Sequence, residues 1–244
     1  EDALQTVDDV KREAYLQRAA ELAIGDTGLI PLHFQVSIWG TRDGITYAPR
    51  VDEQTLAYLR LGTAQLRAGD LAAGRTSLER ARQLSPESAE VLRAVMNLML
   101  TERKYGEALA LSREVQKRNP KDPLGFLLEA DVHLNQRKLP EAIKSVRDAF
   151  ALQPSSDLAV RLHGLQVLAN RGADADRFAA DWLRSNPADA AFISHLGSIA
   201  LQRGDYPLAE ARFRRAVEIR PADAVAMNNL AWALVQQGKS EALQ

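Results

Sequence analysis

Leu196-Gly197-Ser198-Ile199-Ala200-Leu201-Gln202-Arg203-Gly204-Asp205-Tyr206-Pro207-Leu208-Ala209-Glu210-Ala211-Arg212-Phe213-Arg214-Arg215-Ala216, followed five residues later by Pro221, reads as helix, turn, helix. Small and apolar residues recur at steps of three and four on both sides of Gly204-Asp205. The glycine stops the first helix, the aspartate opens the second, and Pro221 marks where the second has ended. The same punctuation extends outward: Pro86, Pro120, Pro154, Pro187 and Pro221 lie 34, 34, 33 and 34 residues apart. Twelve residues before each proline stands a small residue, Gly74, Ala108, Ala142, Ala175 or Ala209, and Ala242 continues the series. Two residues after each proline stands a helix-capping side chain: Ser88, Asp122, Ser156, Asp189 and Asp223.

A fixed period of this length predicts stacked helical hairpins, with units at 55–88, 89–122, 123–156, 157–189 and 190–223 and a partial unit at 224–244. Turns fall at Ala68-Gly69-Asp70, Gln136-Arg137-Lys138, Arg203-Gly204-Asp205 and Gln237-Gly238-Lys239. Eight residues into each unit stands Gly62, Met96, Ala130, Gly164, Gly197 or Ala231, mostly small enough for a close helix crossing. Three departures stand out. Met96 is bulky, the fourth unit is one residue short near Asn170–Asp174, and Trp182 occupies a place where alanine is usual.

With Leu196-Gly197, Ala200, Gly204-Asp205-Tyr206, Ala209-Glu210-Ala211, Phe213, Ala216 and Pro221 in register, and Asn228-Asn229-Leu230-Ala231-Trp232 opening the next unit, residues 55–244 resemble tetratricopeptide (TPR) repeats. The resemblance implies an all-α fold, a right-handed superhelix of helix-turn-helix repeats, and a non-catalytic scaffold that holds another protein. Leu61-Gly62-Thr63-Ala64-Gln65-Leu66-Arg67-Ala68-Gly69-Asp70, Asn119-Pro120-Lys121-Asp122-Pro123 and Leu152-Gln153-Pro154-Ser155-Ser156 are similar to a narrower group. These are the TPR lipoproteins associated with exosortase (PEP-CTERM) protein sorting and exopolysaccharide genes of Gram-negative bacteria. That resemblance implies a place in the cell envelope, periplasmic or lipid-anchored, with a signal segment upstream of Glu1.

The period fails before residue 55: one period before Pro86 is Asp52, followed by Gln54 at the cap position. Residues 1–54 are expected to form a separate segment, with a helix at 7–24, a turn at Gly25-Asp26-Thr27-Gly28 and a strand at about 29–39. Ala20-Glu21-Leu22, Ile30-Pro31-Leu32-His33, Gln35-Val36, Trp39, Tyr47, Pro49-Arg50 and Asp52-Glu53 resemble the C-terminal tail of periplasmic peptide- and nickel-binding proteins of ABC importers. The two resemblances meet at Leu56-Ala57. A composite chain follows, either a gene fusion or a mis-joined assembly; the other reading is an N-terminal cap on the first repeat. A fragment of an importer's solute-binding component is accordingly the second functional reading.

Composition narrows the function classes. Thirty-one basic and 32 acidic residues, net charge −1, leave no basic footprint for nucleic acid. No apolar run reaches the length of a membrane-spanning helix. Without cysteine there is neither a disulfide nor a thiolate metal site. His33, His133, His163 and His195 lack a second ligand at helical spacing, so no metal is expected. Paired carboxylates, a nucleophile elbow and a phosphate loop are also missing, and the chain is expected to be neither an enzyme nor a cofactor carrier.

Function is therefore expected on the first helices. In TPR proteins the groove is lined by the second, fifth, ninth, twelfth and thirteenth positions of each repeat. The resemblance implies Leu59, Thr63, Leu66, Arg93, Asn97, Leu100, Leu127, Asp131, Leu134, Arg161, Leu165, Leu168, Ser194, Ser198, Leu201, Asn228 and Trp232 here. Such a surface would take the apolar stripe of an unidentified protein or peptide segment, with Arg93, Asn97, Asp131 and Arg161 orienting it. Arg93 and Asn97 also match half of the carboxylate clamp of chaperone-binding members. Leu128, Leu158 and Leu162 stand where its remaining polar groups belong.

Overall fold

A computed structural model describes residues 51–238, with side chains from residue 53. The helix expected at 7–24, the strand expected at about 29–39 and Ala242 lie outside the described residues. Within them the chain forms helices only: α1 Val51–Arg67, α2 Leu71–Leu84, α3 Ala89–Thr101, α4 Tyr105–Arg118, α5 Leu124–Asn135, α6 Leu139–Leu152, α7 Ser156–Leu168, α8 Gly172–Ser185, α9 Ala190–Gln202, α10 Tyr206–Ile219 and α11 Ala224–Gln236. Odd-numbered helices open the hairpins and even-numbered helices close them. The first begins at Val51, one turn before the residue where the period starts.

Gly238 after α11 has positive φ, and each of the five described hairpins turns on a residue with positive φ as well, Gly69, Arg103, Arg137, Asn170 or Gly204. Around it the backbone makes paired bonds, such as Gly204 N to Leu201 O and Asp205 N to Ala200 O, that satisfy the last carbonyls of the outgoing helix. Glycine takes this conformation freely and arginine only against a steric cost. The turn is therefore imposed by packing as much as by residue choice.

Small residues then let the paired helices approach. Gly74 is buried, and Ala108, Ala142, Ala175 and Ala209 are all at 0% exposure. A Cβ added to Gly197 would lie 2.9 Å from the Phe213 ring, and one added to Gly62 would lie 2.8 Å from Leu78. These glycines make room for large partners on the second helices. Burial of Phe213 alone stabilises by about 2–3 kcal/mol. The largest cluster gathers Leu78, Val91, Leu92, Val95, Met96, Leu111, Leu128 and Val132 from α2 to α5, and smaller ones continue toward α11. Met96 is part of that core, at 1% exposure.

The short unit differs from expectation. The missing residue is not near Asn170–Asp174 but in the link between α6 and α7, where Gln153-Pro154-Ser155 is three residues long and the link between α8 and α9, 186–189, is four. The shift also corrects a cap. Ser155, not Ser156, is the N-cap of α7 and accepts from Leu158 N at 3.3 Å, whereas Ser156 Oγ bonds Asp189 Oδ1 at 2.8 Å. Asp122 stands one residue outside the cap of α5 and accepts from Leu124 N at 2.8 Å. Ser88, Asp189 and Asp223 cap as their positions require.

Junctions between hairpins are the second level of packing. Even-numbered helices lie against the next odd-numbered helix at α2–α3, α4–α5, α6–α7 and α10–α11. Between α8 and α9 the backbones do not approach closely, and α9 packs on α7 and α10 instead. Aromatic side chains occupy the region: Trp182 meets Phe150 edge-on at 5.3 Å, and Phe178 meets Phe150 at 5.4 Å. Trp182 stands three residues before the end of α8, where α2, α6 and α10 carry Ala81, Ala149 and Ala216. It also meets Phe192 of α9 at 6.3 Å, so a ring and not a methyl group lies at this junction.

Candidate functional site

The expected groove residues fall into three groups. Leu59, Leu66, Leu100, Leu134 and Leu201 are half-buried and pack against the core, and Leu127 is buried beside Ala149 and Leu158. Leu66 owes its position to Gly74, whose absent side chain leaves the space that Leu66 fills. Arg93, Asn97, Leu168, Asn228 and Trp232 are exposed and available to a partner. Thr63 and Ser198 are half-buried, with hydroxyls donating to Leu59 O at 2.7 Å and Ser194 O at 3.1 Å in their own helices.

Asp131 and Arg161 face each other. They form an ion pair from α5 to α7, so each already holds a partner. The one-residue shift also moves the register on α7. Leu165 is buried at 7% exposure with Ala130, Ala142 and Ile143, and the positions matching Ser198 and Leu201 are Gly164 and Val167. Leu128, Leu158 and Leu162 are buried, so the positions expected to complete a carboxylate clamp contribute to the core.

Exposed apolar surface is concentrated toward α11. Val225 is 70% exposed, Trp232 56% and Val235 50%; with Asn228 they form a stripe at spacings of three and four along one side of the helix. Leu168 on α7 adds another exposed apolar residue, at 65%. Toward α3 the exposed positions are polar, Arg93 and Asn97. Val225 and Val235 were missed among the site residues although their spacing from Trp232 was readable.

Titratable groups do structural work. His163 Nδ1 and His195 Nε2 lie 2.9 Å apart between α7 and α9, with the rings edge-on to each other. Burial, aided by repulsion from His195, pushes the His163 pKa down to about 4; burial lowers that of His195 as well. At neutral pH the pair is uncharged and one nitrogen donates to the other. Burial works against the charge on Asp189, but bonds from Phe192 N, Ser156 Oγ and Trp182 Nε1 outweigh it and lower its pKa. Glu102 behaves likewise, burial being outweighed by Arg75 and Lys104. Among the described residues no cluster of three or more His, Asp or Glu side chains suits a metal ion, and no helix is long and apolar enough to cross a membrane.

Comparison with known proteins accords with this architecture. The tetratricopeptide repeat family model matches residues 59–123, 97–157, 169–224 and 195–242. A thermophilic TPR protein of Thermus thermophilus shares the fold with a TM-score of 0.51 and 22% identity, over 74% of this chain and 99% of that one. Pseudomonas aeruginosa pilF gives a TM-score of 0.50 and 17% identity, over 79% of this chain and 88% of its own. Among curated proteins, anaphase-promoting complex subunit 3 of Schizosaccharomyces pombe is 23% identical over 178 residues, 72% of this chain and 27% of that protein. U-box domain-containing protein 70 of rice, Oryza sativa subsp. japonica, is 31% identical over 108 residues, 44% of this chain and 12% of that protein. The chain thus spans only a minor part of the curated relatives it matches.

Proposed function

Because this chain belongs to the tetratricopeptide repeat family, we propose that it is a non-catalytic scaffold that holds a segment of another protein along the face of its odd-numbered helices. The observation that carries the reading is the stripe of Val225, Trp232 and Val235 on α11, supplemented by Leu168. Apolar side chains this exposed are stabilised when a partner covers them. The fitting partner is an extended or helical segment with apolar residues, lying against α7–α11 and meeting Arg93 and Asn97 if it reaches α3. Asp131 and Arg161 spend their charges on each other and serve mainly to tie α5 to α7.

In this reading residues 55–244 are the binding array and 1–54 a separate N-terminal segment. The resemblance to exosortase-associated lipoproteins supports a working place in a Gram-negative envelope, in exopolysaccharide assembly or protein sorting. A photo-crosslinking amino acid at Asn228 tests the groove directly. Capture of one envelope protein from that position, lost when Trp232→Ala is added, supports the proposal. Crosslinks that ignore Trp232→Ala, or that form equally well from exposed Lys144 on α6, count against it.

A further inference from the structure

Consecutive hairpins are latched at two junctions. Arg75 on α2 pairs with Glu102 at the end of α3, and Glu210 on α10 accepts from Gln237 Nε2 at 2.9 Å at the end of α11. At both junctions the helices themselves are also packed together. At the α8–α9 junction the corresponding positions hold Asp176 and Arg203, which make no ion pair among the described residues. The backbones of α8 and α9 do not approach, and a cleft of about 280 Å³ opens between α8, α9 and α10.

Two polar ties hold α9 in place there. One lies at the link: Asp189 caps α9 through Phe192 N at 3.0 Å and also accepts from Ser156 Oγ of α7 at 2.8 Å and Trp182 Nε1 of α8 at 2.9 Å. The other lies further along α9, where His195 Nε2 meets His163 Nδ1 of α7 at 2.9 Å. His163 is buried, with Phe192 edge-on to it at 5.7 Å. A bond between two imidazoles needs one nitrogen to donate and the other to accept. Once both rings are protonated neither can accept, and two cations face each other at that distance. The charged groups facing His163 are Asp176 on α8, which favours a proton on it, and Arg203 at the end of α9, which disfavours one. Asp205 and Arg212 from the α10 side line the same cleft. These charges balance, and burial decides that the pair stays neutral.

We propose that this junction is an acid-opened hinge: the histidine pair is the latch between α7 and α9, the Asp189 network is the pivot, and opening lets α9–α11 swing as a block away from α1–α8. In the open form His163 takes up a proton near its ordinary value of 6.5, whereas in the closed form it resists to about 4. The open form therefore binds more protons and gains as pH falls through that interval. For His163 alone the gain in the ratio of open to closed is on the order of fiftyfold at about pH 4.5. His195, lowered by burial, acts in the same direction. Hydrogen bonds hold the Asp189 carboxyl below the usual carboxylate range, so the pivot keeps its charge through this window. Glu102 is held low in the same way, so the α2–α3 junction stays latched. For a segment bound along α7–α11, a consequence that rests on the scaffold reading above, acid removes one end of its seat.

The chain contains no cysteine, so pairs of spin labels can be placed at chosen positions on the full 244 residues. Lys144→Cys on α6 with Arg215→Cys on α10 spans the hinge, and Arg113→Cys on α4 with Lys144→Cys does not; all three positions are exposed. Electron–electron double resonance is read at about pH 7.5 and about pH 4.5, on either side of the ordinary histidine value. The distance distribution across the hinge is expected to shift and broaden reversibly in acid while the α4–α6 distribution stays as it was. Replacing both rings, His163→Gln with His195→Gln, should abolish the response. No acid change across the hinge, an equal change in both label pairs, or a response that persists in the double glutamine variant overturns the proposal. Should that variant already be open at neutral pH, imidazole proton resonances of the unsubstituted chain decide. Titration of His163 in step with the distance change supports the latch, and titration at the ordinary value before any distance change overturns it. No partner enters these measurements, so their outcome is independent of crosslinking from Asn228.

Discussion

In the α9–α10 hairpin, Gly197 lies under the ring of Phe213; in the α7–α8 hairpin the two corresponding positions hold His163 and Ala179. The large and small partners have exchanged helices. Both arrangements keep the crossing buried, with Phe213 at 0%, His163 at 3% and Ala179 at 8% exposure. They differ in what they offer the next helix. Ala216 on α10 fits closely beneath Ala226 of α11, whereas Trp182 on α8 turns into an aromatic cluster with Phe150, Phe178 and Phe192. One hairpin therefore continues the stack tightly and the other leaves a cleft. The repeat fixes the path of the backbone, and the size of two or three side chains decides whether a junction closes.

The sharpest way to break the comparison is Phe213→Ala, which leaves a cavity that Gly197 cannot fill and should cost about 3–5 kcal/mol in urea unfolding. Ala179 has no ring to lose, so the α7–α8 hairpin must be probed through its histidine. Unfolded His163 titrates near 6.5 and the folded residue near 4. Between those values the unfolded chain binds more protons, so stability is fully present above pH 6.5 and falls as pH drops toward 4. The loss should be on the order of 2–3 kcal/mol, read as unfolding free energy against pH. His163→Gln should flatten this profile, and an unchanged slope would remove His163 from the explanation.

Smaller substitutions sharpen the register. Ala209→Leu should overpack α9 against α10 and cost about 1–3 kcal/mol, with a neutral result arguing against a close crossing there. Ser155→Ala should cost about 1 kcal/mol as a lost cap. Ser156→Ala should cost less, since it removes one of several bonds to Asp189 and no helix cap. If Ser156 proved the costlier position, the shortened link would lie elsewhere.

The hairpins and the order of helices were legible because the prolines, turn residues and small crossing residues repeat independently and agree. The position of the deletion was not. Ser155 and Ser156 carry the same capping chemistry, and only the length of α7, fixed at its far end by Asn170 with positive φ, selects between them. That one-residue choice carried the groove assignment on α7 with it and placed buried Leu165 among the expected contacts. The Asp131–Arg161 pair and the two histidines were hidden for a different reason. Their partners are 30 and 32 residues apart, and which side chains meet depends on how two helices are turned toward each other.

Periodicity alone determined that residues beyond 55 form stacked helix pairs, because local signals, repeated every 34 residues or one fewer, each specify the same short structure. Tertiary structure alone decided which leucines face out, which charges cancel and which junction stays open. Those outcomes depend on side-chain volume summed across three helices, and no single stretch of sequence contains that sum.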